Sequence, residues 1–262
     1  MAQLIWNDIG SHLFESGIDR GVLYIPGASG VPWNGLTGVD EKPSGASVSA
    51  YYMDGVRYAT VVSSEEYAAT LQAFYSPVEF DQCDGSLDLG YGFFAEHQAR
   101  KSFGLSYRTR LGNDIDGSDY AYKIHIVYNA WATPSERAYK TIGADADIDS
   151  LSWDLQASPV SYSGIRPTAH FVLDATQAPE SDVAALEEIL YGSPSTNPRL
   201  PEPTEIISIL AANNRLNVFD NGDGTYIVAG KGVTNNKNGS FSINDQNLID
   251  HGNGSFTVSS QA

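Results

Sequence analysis

The chain has 262 residues, 42% hydrophobic and 11% aromatic, a composition that folds rather than stays disordered and that fills one large domain or two ordinary ones. Its formal net charge is −17, and the acidity is uneven: residues 1–191 hold 11 Lys+Arg against 26 Asp+Glu, residues 192–262 hold 4 against 6. That balance excludes gripping nucleic acid by counterion release, a single cysteine excludes a disulfide-stapled fold, and no apolar run reaches the roughly 18 residues of a membrane span.

The first residues, MAQLIWNDIG, lack the basic and apolar regions of a signal peptide, so the expectation is a chain made and used as a soluble protein. Residues 1–46 alternate short apolar pieces with Gly, Pro and Asn, as in Gly21–Gly27 and Gly30–Gly35, and predict one or two short strands joined by extended loops. Val48–Tyr52 and Val56–Val62 flank Met53-Asp54-Gly55, and an Asp-Gly pair between β-rich arms predicts a hairpin. Ser63 and Glu66 have capping-box spacing for a helix, yet Thr70–Tyr75 alternates like a strand, so this segment reads both ways. Residues 81–100 are rich in Asp and Gly and read as loop.

Residues 103–131 give the longest regular pattern. Leu105, Tyr107 and Thr109 alternate with Ser106, Arg108 and Arg110 in one arm. Tyr120, Tyr122, Ile124, Ile126 and Tyr128 alternate with Lys123, His125, Val127 and Asn129 in the other. Between the arms, Gly112–Asp119 is a cluster of turn formers, so the prediction is a long β-hairpin. Beyond it, Pro134–Tyr139 suits a helical turn, Leu151–Ala157 and Thr168–Asp174 suit strands, and Pro179–Tyr191 suits a helix capped by Ser181 or Asp182, with Val183, Leu186, Ile189 and Leu190 at helical spacing.

Residues 192–203 hold four prolines and read as a linker, after which Thr204 caps a short helix over Glu205–Ala212. A 15-residue repeat follows: Asp223-Gly224-Thr225-Tyr226-Ile227-Val228, Asn238-Gly239-Ser240-Phe241-Ser242-Ile243 and Asn253-Gly254-Ser255-Phe256-Thr257-Val258. Each unit is strand, turn, strand, and is too small to bury its own face, so hairpins or a short solenoid are expected, as a separate appendage or as a continuation of the main sheet. The division is residues 1–191 as a β domain, 192–203 as linker, and 204–262 as a C-terminal β appendage.

No fragment makes a convincing reactive site. Gly90-Tyr91-Gly92-Phe93-Phe94-Ala95 has the spacing of a dinucleotide turn but no βαβ context. Asp145, Asp147 and Asp149 begin like a calcium loop, but Ser150 stands where glycine is needed and no bidentate Glu follows; Asn113–Asp119 also gathers carboxylates, which hairpin-turn chemistry explains. His12, His97, His125, His170 and His251 are scattered, and Cys83 sits among carboxylates that disfavour its thiolate. Pairs such as Asp114/Asp116 and Glu65/Glu66 are expected by chance among 32 acidic residues. The expectation is therefore a non-enzyme with no catalytic, cofactor-binding or metal-binding residues. Tyr51, Tyr52, Tyr58, Tyr107, Tyr120, Tyr122, Tyr128 and Trp131 suit a sheet core, a ligand platform or, as the favoured reading, a subunit interface.

In order along the chain, GVLYIPGASGVPWNGL (21–36), YYMDGVRY (51–58), FYSPVEFDQCDG (74–85), FGLSYRTRLGND (103–114), YKIHIVYNAWATPSERAY (122–139) and LSWDLQASPV (151–160) resemble the major tail proteins, or tail tube proteins, of long non-contractile-tailed bacteriophages infecting actinobacteria. The resemblance runs across about residues 4–175 and leaves out the repeats. It implies a mainly β sandwich or barrel of the tail-tube type, with long hairpins, extended loops and one flanking helix. It further implies a virion tail component, assembled in the host cytoplasm, whose subunits close into rings, usually hexameric. The rings stack around a tape measure protein, meet terminator and tail-tip proteins at the ends, and leave a channel for phage DNA in transit; no membrane is involved. An acidic channel wall would repel phosphates, and the 103–131 hairpin is the first candidate for its barrel strands. Two alternatives remain open: a terminator or connector that forms a single ring, and a binding module whose C-terminal repeats recognise host-surface glycans.

Overall fold

In a computed structural model the described residues are 6, 8–134, 137, 141, 148–162 and 166–211, together with the backbone of six short strands between 217 and 259. The chain is a mainly β protein that divides into two compact units, Met1–Ser161 with Pro167–Gln177 and Glu188–Leu200, and Tyr162–Arg166 with Ala178–Glu187 and Pro201–Ala262.

The first unit is built on strands β1 (Phe14–Tyr24), β2 (Val31–Pro32), β3 (Leu36–Glu41), β4 (Ser44–Gly45), β5 (Val48–Met53), β6 (Val56–Val62), β7 (Glu65–Glu66) and β8 (Ala68–Ala73). A 3-10 turn at Val78–Phe80 runs into α1 (Asp81–Asp84), and β9 (Leu87–Asp88), β10 (Phe94–Ala95), β11 (Phe103–Asn113), β12 (Gly117–Thr133), β13 (Leu151–Ala157) and β14 (His170–Asp174) follow. One antiparallel sheet takes the order β2-β1-β11-β12-β13-β8-β3, with β14 also paired to β12. The sheet curls until its ends approach: a Cβ on Gly21 of β1 would lie 2.6 Å from Leu36 Cδ2 of β3.

The predicted 103–131 hairpin is β11–β12, the middle of this sheet. Its arms have partners on both edges, β1 beside β11 and β13 and β14 beside β12, so they are interior strands with no free edge between 104 and 111. Both faces are covered. Leu105, Tyr107 and Val127 join a core with Leu23, Leu71, Trp153 and Leu155, and a ring cluster of Trp33, Phe80, Phe103 and Trp153, with centroids 4.7–5.9 Å apart, fills its centre. On the opposite face, the Tyr24 hydroxyl donates to the Leu190 carbonyl at 2.8 Å and lies 3.1 Å from Ser106 Oγ, while Leu200 closes so tightly over Gly104 that a Cβ there would sit 2.5 Å from Leu200 Cδ2.

Residues 1–46 depart from the short strands expected: β1 is eleven residues long. Two bulges, between Ser16 and Ile18 and between Asp19 and Val22, break its alternation, with Gly17 and Arg20 at φ 57 and 49. In the 63–66 segment Glu65–Glu66 is a short strand and no residue is helical, and the loop reading of 81–100 missed α1, a single turn too short to show periodicity. The Pro134–Tyr139 turn and the Asp145–Asp149 motif lie, for most of their residues, outside the described residues. After α2, Gly30 N–H donates to the Pro198 carbonyl at 2.8 Å and Arg199 N–H to Ile189 at 2.9 Å, which ties residues 192–200 to the first unit.

Helix α2 (Glu180–Tyr191) matches the predicted span, but Ser181 and Asp182 lie inside its first turn, and the Pro179 carbonyl accepts from the amides of Asp182 and Val183. Val183, Leu186 and Leu190 are buried, as their spacing requires. In the second unit, α3 (Pro203–Ala211) starts on a proline at the first helical position, one residue before the expected Thr204 cap. The repeats form three hairpins: β15 (Asn217–Asp220) with β16 (Tyr226–Ala229), β17 (Val233–Asn235) with β18 (Phe241–Ile243), and β19 (Asn247–Asp250) with β20 (Phe256–Ser259). The pairs Asp220↔Tyr226, Asn235↔Phe241 and Asp250↔Phe256 keep the 15-residue period.

Candidate functional site: an exposed apolar hairpin and a histidine–glutamate cluster

The β5–β6 hairpin forms where the sequence places it. Asp54 and Gly55, at φ 51 and 77, take the two left-handed positions of a type I′ turn, whose twist matches the flanking strands. Its surroundings are unusual. Every residue of β5 and all but one of β6 are exposed, and the exposed set includes Val48, Tyr51, Tyr52 (68%), Val56, Tyr58 (73%) and Val61. A sheet protein normally buries one face of each hairpin, and a lone two-stranded ribbon is marginal in water. A second exposed apolar group lies at Leu87, Leu89, Tyr91 and Phe93, on and around the β9–β10 turn. This is where the structure places Gly90–Ala95: a tight turn with Gly90, Tyr91 and Gly92 at positive φ, without the strand–turn–helix of a dinucleotide site.

The aromatic residues expected at an interface therefore divide. Tyr51, Tyr52, Tyr58, Tyr120 and Trp131 are exposed, whereas Tyr107 and Tyr128 are core and Tyr122 lies under the Arg108 guanidinium, 4.2 Å from its ring centre. Burial on both faces of β11–β12 overrode the simple alternation from which all eight were grouped.

Two of the scattered histidines, His125 and His170, come together. His125 and Val127 point to one face of β12, and the β12–β14 register sets His170 opposite Val127, so the two imidazoles are diagonal neighbours. His125 Nδ1 lies 3.1 Å from His170 Nε2, with rings 17° from parallel. Glu41, the last residue of β3, brings Oε1 to 3.3 Å from His125 Nδ1 and 3.7 Å from His170 Nε2. The Tyr107 hydroxyl donates to the same Glu41 oxygen at 2.5 Å, its ring stacks on His125 at 4.6 Å, and Thr109 Oγ1 lies 3.1 Å from His125 Nε2. The contact with His125, reinforced by Tyr107, holds the Glu41 carboxyl down at about 2; burial holds the His170 imidazole below its usual range. Sequence reading missed this group because its members come from three strands far apart in the chain.

Other candidates are quiet. Cys83 is buried, and burial pushes its thiol up to about 12. In the 112–119 turn, Asn113 Oδ1 accepts from the amides of Ile115 and Asp116, and Asp114 accepts from Gly10 N–H, so turn chemistry accounts for these side chains. Glu65 and Glu66 are exposed. A cleft of about 590 Å³ beside β1, lined by Trp33, Leu36, Leu190 and Tyr191, includes Asp19, whose carboxylate is engaged by Arg108. Among the described residues no helix is long and apolar enough to cross a membrane.

No protein-family model and no curated protein matches the sequence. Among solved structures, a chain in the tube-terminating cap of the anti-feeding prophage aligns over 67% of this chain and 97% of its own, at 13% identity and a TM-score of 0.32. One in the extended sheath–tube complex of the extracellular contractile injection system PVC aligns over 65% and 95%, at 18% identity and 0.28. A third, in the anti-feeding prophage baseplate, aligns over 65% and 98%, at 10% and 0.32. Likeness at this level carries no argument about what the chain does.

Proposed function

We propose that this chain is the repeating subunit of a phage tail tube, a non-enzymatic protein that closes into rings, stacks them, and leaves a channel through which DNA passes without being held. The observation that carries the reading is the β5–β6 hairpin, apolar and exposed on both sides. Each of its large apolar side chains gains about 1.5–3 kcal/mol on burial, so the ribbon favours covering by a protein surface. The occupant is a second copy of this chain, because the ordered resemblance over about residues 4–175 is to proteins that assemble with themselves. A net charge of −17 concentrated in the first 191 residues fits a wall that phosphates slide past. Since β11 is paired on both sides, as is β12 over residues 123–130, inter-subunit sheet contacts fall to other segments, the β5–β6 ribbon first. In this reading residues 204–262 are an appendage to the tube-forming body, to which residues 192–200 themselves belong.

Tyr52→Glu combined with Tyr58→Glu tests this. Both side chains are exposed, so the melting temperature of the subunit should stay within a degree or two while ring and tube formation, followed by light scattering and negative-stain microscopy, is lost. Assembly by the double variant at wild-type concentrations would remove the hairpin from the interface.

A further inference from the structure

Among the described residues one group of metal-type ligands converges, and the assembly reading makes no use of it. We propose that Glu41, His125 and His170 form a divalent-cation site of the zinc type, completed by water or one further donor, that pins the end of β3 to β12 and β14.

The geometry is that of a coordination shell. Glu41 Oε1, His125 Nδ1 and His170 Nε2 form a triangle with edges of 3.1, 3.3 and 3.7 Å. Donors bound tetrahedrally at zinc distances stand about 3.3–3.5 Å apart. Three lone-pair atoms this close repel one another unless a positive centre lies between them. A proton on one ring nitrogen satisfies one or two edges of the triangle, whereas a metal ion satisfies all three.

The surroundings orient the donors. In the tautomer in which His125 Nε2–H donates to Thr109 Oγ1, the Nδ1 lone pair faces the cluster, and the Tyr107 hydroxyl fixes the Glu41 carboxylate. Tyr67 packs its ring 4.7 Å from that of His170 and restricts it. Two imidazoles and one carboxylate suit zinc, cobalt, nickel or iron(II) better than calcium or magnesium, which prefer all-oxygen shells. The imidazoles are mostly shielded, and the Glu41 side chain, 35% exposed, gives the ion a route in.

The site joins parts of the fold that backbone pairing leaves separate. Among the described residues β3 pairs as a strand only with β8, at one end of the sheet order, whereas β12 lies at its centre. A bound ion closes the curled sheet through side chains, and its binding free energy adds to the stability of the closed form.

The full-length chain, stripped with chelator and titrated with zinc chloride in a calorimeter, tests the proposal; cobalt(II) serves as the spectroscopic probe. One zinc per chain, a raised thermal midpoint and the intense visible absorption of four-coordinate cobalt are expected. Glu41→Gln and His170→Gln should each weaken binding by more than about tenfold, and Thr109→Val, which removes only the orienting group, by about tenfold. Thr109→Val leaves every ligand in place and keeps the test informative if a ligand variant folds poorly. No zinc uptake at micromolar protein, or uptake unchanged in all three variants, would overturn the proposal.

Discussion

Arg108 is clasped by Asp19, its cross-strand partner, through two bonds: Nε to Oδ1 at 2.7 Å and Nη2 to Oδ2 at 2.9 Å. This fork ties bulged β1 to the central hairpin, and the guanidinium also covers Tyr122, so one side chain holds three strand positions together.

The pair makes stability depend on pH. The hydrogen bond from Arg108 holds the Asp19 carboxyl below its usual value; burial opposes this in part, and the charges of Arg108 and Arg110 add to it. A depressed carboxylate contributes stability above its unfolded-state value of about 3.9 and loses it as pH falls through the lower folded value. Asp19→Asn should cost about 1 kcal/mol at neutral pH, after discounting for solvent screening, and progressively less below about pH 4. Urea midpoints of both proteins across that range decide it, and a constant gap would contradict the assignment.

Two buried tryptophans should differ in what they tolerate. Trp33 donates its Nε1–H to the Tyr75 carbonyl at 2.9 Å, whereas Trp153 Nε1 has no hydrogen-bond partner among the described residues. Replacement by Phe removes similar volume at either site, but only at Trp33 does it break a bond. Trp33→Phe should therefore cost about 1 kcal/mol more than Trp153→Phe in denaturant titrations. The reverse order would show that packing, not the indole N–H, sets these costs.

Gly55 occupies the second left-handed position of the hairpin turn, with open space around its missing Cβ. Gly55→Val therefore acts through backbone strain alone, about 1–2 kcal/mol. Hydrogen exchange should accelerate in β5 and β6 and stay unchanged at Leu71 and Leu155, and assembly should need more protein. Uniform acceleration across both regions would mean that the ribbon is coupled to the core.

Cys83 should resist thiol reagents in the native protein, because its side chain is fully buried and its thiol is pushed up to about 12. Labelling should track global unfolding in denaturant. Fast labelling of the folded chain would contradict the packing around Phe80 and Cys83.

Local chemistry was what the sequence exposed. Asp54-Gly55 and the 112–119 turn former cluster specify hairpins within a few residues, and both are present. The spacing of Val183, Leu186 and Leu190 on α2 is likewise local, and all three are buried. What was hidden depends on distant pairing. β1 was unreadable because bulges at Gly17 and Arg20 shift its phase twice, so period-two counting fails. Tyr107 and Tyr128 were grouped with the exposed tyrosines because no sequence pattern shows that both faces of β11–β12 are covered. The Glu41–His125–His170 group needs β12 and β14 in register and β3 brought against them from far earlier in the chain, and no spacing rule joins the three positions.

The most direct test of the tail-tube reading is negative-stain electron microscopy of the purified chain over a concentration series, repeated with tape measure and tail-tip proteins added. The account predicts rings that stack into tubes with a central channel as concentration rises. Monomers throughout, with those partners present, would contradict it.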